Sequence, residues 1–227
     1  MKITLQKKFL TIFFFINVVV LFANATQNFV LDIIFKPLIV VSLLIYLFIQ
    51  NAHKGKAVVF ALGGLFLSLV GDVLLIFHEQ LFFMLGLICF LIAHLLYIFY
   101  YICSSEFVST KKLKNKTIFI LLIIVYGILF CSFLNDHLGV LKVPVFVYTS
   151  VLISMNIFAL NRYGKVNDKS FKLIVIGALC FALSDSLLAL NKFIIPIPLA
   201  GIWIIAAYSA AQYFITQGVL STATINN

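Results

Sequence analysis

The chain has 227 residues, 64% hydrophobic and only 10% charged, with a mean hydropathy of +1.19 and a formal net charge of +9. A soluble domain carries about 25% charged residues, so the composition excludes one and calls for a polytopic membrane protein. The charge does not point to nucleic acid, because the basic residues fall in short loops between apolar runs, as membrane topology requires. About 20 apolar residues span the hydrocarbon core, and eight such runs are predicted, at roughly 9–25, 33–49, 57–77, 81–101, 117–134, 139–160, 171–190 and 197–217. The fold class is all-α: a polytopic membrane helix bundle of about eight transmembrane helices, one domain over residues 1–227. Short connections make sequential neighbours antiparallel.

The first run carries two readings. Lys2, Lys7 and Lys8, an apolar stretch, and then Ala23-Asn24-Ala25 fit a cleavable secretory signal. The apolar stretch is long for a signal core, which favours a retained helix. Lys2, Lys7, Lys8, Lys54, Lys56, Lys111, Lys112, Lys114, Lys116, Arg162, Lys165, Lys169 and Lys172 all fall on one face of the eight-span arrangement. Only Lys36, Lys142 and Lys192 fall on the other. Positive charge marks the cytoplasmic side, so both termini are expected there. Cys89, Cys103, Cys131 and Cys180 form no CxxC pair and read as small hydrophobes.

Two acidic residues interrupt the apolar runs: Asp72 in GGLFLSLVGDVLLIF and Asp185 in GALCFALSDSLLAL. A carboxylate at membrane depth costs roughly 2.5 to 3.5 kcal/mol on insertion scales, and the usual offset is a polar cavity with a function. At 1.5 Å rise per residue each acid lies about 21 to 22 Å from the cytoplasmic edge, at nearly one level in the outer half. A shift of 113 residues lays Gly64–Phe77 over Gly177–Leu190 and brings Asp72 onto Asp185. Four-helix halves arising by duplication, with one aspartate from each meeting at the centre, fit that shift. Small residues flank both acids: Gly64, Ser68 and Gly71 in the third run, Gly177, Ala178, Ala182 and Ser186 in the seventh. They permit close helix packing, and two acids in one poorly solvated pocket suit a division into proton donor and carboxylate.

Other polar residues in the runs have a structural and a functional reading each. Lys36, before Pro37, is either an interfacial lysine snorkelling to water or a cation for an anionic headgroup or an aspartate. His94 and Tyr97, one turn apart, are packed polar residues or members of the site. Tyr148 and Asn156, and Tyr208 and Gln212, line a cavity or bond neighbouring helices. His53, His78 and His137 fall in loops on both faces and cannot join His94 around one zinc, so no metal site is expected.

The segments KPL (36–38), GGLFLSLVGD (63–72), FLIAHLLY (90–97), VYTSVLISM (147–155), GALCFALSDSLLALNKF (177–193) and YSAAQYFI (208–215) occur in this order over nearly the whole chain. The chain thereby resembles the YhhN-type lysoplasmalogenases, integral membrane enzymes. The resemblance implies a multi-pass protein of a bacterial inner (plasma) membrane that hydrolyses the vinyl ether bond of lysoplasmalogens. The products would be a fatty aldehyde and glycerophosphoethanolamine or glycerophosphocholine. It places catalysis on Asp72 and Asp185, with Lys36, His94, Tyr97, Tyr148 and Gln212 as substrate-binding positions. The expected partners are a lysophospholipid and the bilayer, with no nucleic acid, metal or organic cofactor. From the residues alone, a proton-coupled or lipid-like-solute transporter using the same acids is the alternative. Headgroup, chain length and oligomeric state are left open.

Overall fold

In the computed structural model the described residues form eight α-helices. They are α1 (Lys2–Ala25), α2 (Phe29–Asn51), α3 (Val58–Leu74), α4 (Gln80–Cys103), α5 (Lys116–Leu134), α6 (Lys142–Leu160), α7 (Asp168–Phe193) and α8 (Ala200–Ala223). Two 3-10 turns, Asn135–His137 and Gly139–Leu141, join α5 to α6. The structure describes residues 2–51, 55–77, 79–105, 113 and 115–223, with the side chains of 2–5, 51 and 223 excepted. Lys54, Lys111, Lys112, Lys114, His53 and His78 lie outside the described residues.

Among the described residues, length and composition allow six helices to cross a membrane: α1, α2, α4, α5, α6 (with the turn before it) and α7. The eight expected runs are all helical, but two fall below that standard. Helix α3 has 17 residues. In α8, Gln212, Thr216 and Gln217 lower the hydropathy, and the first two are buried against the bundle rather than turned to lipid. Helix α7 begins at Asp168, ahead of the apolar run, because the Asn167 side chain accepts a hydrogen bond from the Ser170 amide and caps its first turn.

The helices are apolar on all sides, as lipid on one face and protein on the other require. Phe14, Phe15, Phe22, Leu121, Leu129 and Trp203 are among the large side chains left on the exterior. Inside, Phe9, Phe13, Ile16 and Val20 of α1 join the common core with Leu43, Tyr97, Met155, Phe181 and Ile215. The Phe9 ring stacks on Tyr46 at 3.8 Å and Phe13 on Tyr213 at 5.4 Å, so α1 is built into the bundle.

Packing is closest between α3 and α4 and between α7 and α8. Helix α2 meets α3 and α8, and α6 correspondingly meets α7 and α4, so the pairings recur in the two halves. Glycines set the spacing. A Cβ on Gly64 would lie 2.7 Å from the Tyr97 ring, and one on Gly177 would lie 3.0 Å from the Ala211 carbonyl of α8. Helix α5 leans chiefly on α6, and only its Gly127 and Leu134 are buried.

Candidate active site

Asp72 stands in the last turn of α3, nearer a helix end than its apolar surroundings suggest, and is nevertheless 2% exposed. Asp185 stands about two turns before the end of α7 with its side chain 14% exposed. Both line one cavity of about 620 Å³. Most of its wall is apolar, with Leu75, Phe90, Leu152, Leu183 and Ile205 among the contributors. Two acids from separate helices therefore face one apolar chamber.

Each carboxylate receives one tyrosine hydroxyl. Tyr208 of α8 donates to Asp72 Oδ2 at 2.7 Å, and Tyr148 of α6 donates to Asp185 Oδ2 at 2.7 Å. Behind Tyr208 the bonds continue in one direction: Tyr97 donates to Gln212 Oε1 at 2.7 Å, and Gln212 Nε2 donates to Tyr208 Oη at 3.3 Å. Bonds polarised in series strengthen one another in a low-dielectric interior, so this chain holds the Tyr208 hydroxyl toward Asp72.

His94 serves the other acid. Its Nε2 lies 4.0 Å from Asp185 Oδ2, and neither ring nitrogen has a hydrogen-bond partner although the residue is fully buried. The edge-on rings of Phe181 at 4.5 Å and Tyr148 at 5.4 Å fix its plane. Phe181 also contacts Tyr208 edge-on at 5.6 Å, so one phenyl ring separates the supports of the two acids.

The seven residues singled out in the sequence divide into two layers. Asp72, Asp185, Lys36 and Tyr148 line the chamber. Tyr97 and Gln212 stand behind Tyr208, and His94 behind Asp185, outside the cavity wall. Tyr208, weighed in the sequence as lining or as an interhelical bond, does both. Lys192, Tyr126 and Ser186 line the chamber too and were not singled out as a site. Tyr126 of α5 and Ser186 of α7 share a 2.5 Å hydrogen bond across the cavity's side, a pairing no sequence motif marks. Among the described residues, no three His, Cys, Asp or Glu side chains stand close enough to hold a metal ion.

A family model described as the YhhN family matches residues 31–219, which include every residue named above around the chamber. The chain belongs to the YhhN family. It is 30% identical over 162 residues to the lysoplasmalogenase TMEM86A of Bos taurus, covering 70% of this chain and 64% of that protein. It is 31% identical over 186 residues to the lysoplasmalogenase TMEM86B of Sus scrofa, covering 81% and 73%. With the lysoplasmalogenase TMEM86B of Homo sapiens the identity is 32% over 159 residues, covering 70% and 62%. The match to the bovine and human proteins thus spans a little under two thirds of their length. No solved structure matches the chain significantly. As a YhhN-family protein with these apolar helices, it is an integral, multi-pass membrane protein.

Proposed function

We propose that this YhhN-family protein is a membrane hydrolase that cleaves the vinyl ether bond of a lysoplasmalogen through Asp72 and Asp185. The observation that carries the reading is the pair of tyrosine-held carboxyl groups on one largely apolar chamber. The lysoplasmalogenases to which the chain is similar support the substrate class.

A vinyl ether is hydrolysed by protonation of its outer carbon. The C=C pair forms the new C–H bond, and the ether oxygen shares the positive charge of the resulting oxocarbenium ion. Water adds to the cationic carbon and loses a proton. The hemiacetal then expels glycerophospho-alcohol and leaves the aldehyde. The route calls for one carboxylic acid as donor, and for one carboxylate to stabilise the cation and take the proton from water, as paired carboxyl groups do for the similar cation of glycoside cleavage. Asp72 and Asp185 supply the two groups, and the proton given in the first step is recovered in the second. The apolar walls hold the alkenyl chain and keep bulk water from the cation. His94 and the Tyr97–Gln212–Tyr208 series are positioning groups, one set for each acid. The lysine and arginine distribution orients the chain with both termini in the cytoplasm.

Purified protein in detergent should release fatty aldehyde from lysoplasmalogen. Asp72→Asn and Asp185→Asn should each lower turnover by at least about 100-fold, as loss of a general acid or base does. Wild-type turnover in either variant removes that residue from the mechanism. Flux of an unchanged solute across sealed vesicles, without aldehyde, would assign the acids to transport instead.

A further inference from the structure

The acids are not the only charged groups on the chamber: Lys36 of α2 and Lys192 of α7 also line it. Both lie toward the end of the bundle where α2 begins and α7 finishes. Among the described residues neither ammonium has a carboxylate within 4 Å. Lys192 Nζ sits 5.0 Å from the centre of the Phe83 ring, itself part of the chamber wall and packed edge-on against Phe193 at 6.1 Å. The end of α7 is braced beside it, because the Ile197 amide donates to Asn191 Oδ1 at 2.8 Å and ties the α7–α8 connection to that helix end. A lysine in the last turn of a helix complements the helix dipole wherever it points. That general effect does not explain why this one, although exposed, lies over a ring of the chamber wall, where a cation–π contact holds its ammonium at the chamber's edge.

We propose that Lys192, together with Lys36, forms the phosphate subsite of the chamber, and that its ligand is the phosphodiester of a single-chain glycerophospholipid. The assignment rests on the lipid reading of the chamber. Spacing supports it: Lys192 follows Asp185 by seven residues, which is close to two full turns, so both side chains leave the same face of α7 about 10 Å apart along the axis. In a lysoplasmalogen about seven bonds separate phosphorus from the outer vinyl carbon, or ~8 Å at the reach per bond of an extended chain. A phosphate on Lys192 therefore sets the bond to be cleaved beside Asp185. Lys36 supplies the second cation from α2, on the chamber wall it shares with Asp72. Placing the anion at one end orients the lipid, since the apolar walls alone would accept a chain in either direction.

The test is binding of a saturated analogue, 1-O-alkyl-glycerophosphoethanolamine, beside 1-O-alkylglycerol, which lacks the phosphate. The wild-type protein should bind the phospholipid at least about 10-fold more tightly, the range of charge-assisted contacts. Lys192→Gln should collapse that ratio toward one, Lys192→Arg should keep it, and Lys36→Ala should lower it while raising KM for lysoplasmalogen more than it lowers kcat. Equal binding of the two ligands by the wild type, or an undiminished ratio in Lys192→Gln, overturns the subsite. Inorganic phosphate binding as tightly as the lipid would mark a free-anion site and overturn the lipid assignment. Because the analogue cannot be hydrolysed, lysine-dependent binding without aldehyde release from the true substrate would defeat the hydrolase reading and leave the subsite standing. Aldehyde release with lysine-independent binding would do the reverse.

Discussion

The tyrosine hydroxyls offer the sharpest probe of the acids, because each is one atom on an otherwise retained ring. Tyr148 is buried, and its hydroxyl donates to Asp185 at 2.7 Å. Tyr148→Phe removes that bond and leaves the ring against His94. A hydrogen bond to a charged group contributes about 1.5 to 3 kcal/mol, which corresponds to a loss on the order of 10- to 150-fold in kcat/KM. Tyr208→Phe should cost more. It removes the donor to Asp72 and also the acceptor of the Gln212 amide, leaving a buried group unpaired. The assay is aldehyde release coupled to NADH oxidation by alcohol dehydrogenase. The decisive comparison is a double-mutant cycle. In an Asp185→Asn background, Tyr148→Phe should cost less than about threefold, because the group it serves has gone. The full loss in that background, or none in the wild type, would refute the claim that Tyr148 acts through Asp185.

Two further outcomes concern the frame. Gly64→Val should drive the Tyr97 ring from Gln212 and lower the thermal midpoint in detergent, since even a Cβ would lie 2.7 Å from that ring and overpacking costs about 1 to 3 kcal/mol. Arg162→Met should lower the midpoint and leave KM for the lipid within about twofold, because the guanidinium donates to Ser104, Ser170 and Thr222 at the end of the bundle away from the acids.

The sequence displayed the helices because apolar runs of membrane length are hard to confuse with anything else, and it displayed Asp72 and Asp185 because charge is conspicuous inside them. It did not display how each helix is turned about its axis. In a soluble bundle the polar face of a helix reveals that rotation, but here lipid and core are equally apolar and the pattern is mute. Tyr208 reaches an acid 136 residues away, and Tyr148 one 37 residues away; no spacing rule joins such pairs. Lys192 read only as one of three positive charges on the outer face. Arg162 read only as an inner one, whereas it is a wholly buried cation lying over the Tyr100 and Tyr101 rings at 5.3 and 5.6 Å. His94, by contrast, was legible as a buried polar residue, but its approach to Asp185 depends on a contact between α4 and α7.

Arg162 and the two aspartates are ionisable groups placed in different settings. The Arg162 side chain donates to the Tyr101 carbonyl and to hydroxyls of Ser104, Ser170 and Thr222, so residues from the ends of α4, α7 and α8 converge on one guanidinium from α6's end. Its partners are fixed protein atoms, and it is not among the residues that line the chamber. A carboxylate has about four lone-pair sites, yet the protein brings a single tyrosine hydroxyl to each of Asp72 and Asp185, and both line the 620 Å³ chamber. Were packing the only role of these acids, an asparagine or a leucine in their place would spare the several kcal/mol of taking a charge out of water. Both acids line the same chamber, as the proposed hydrolysis requires of them.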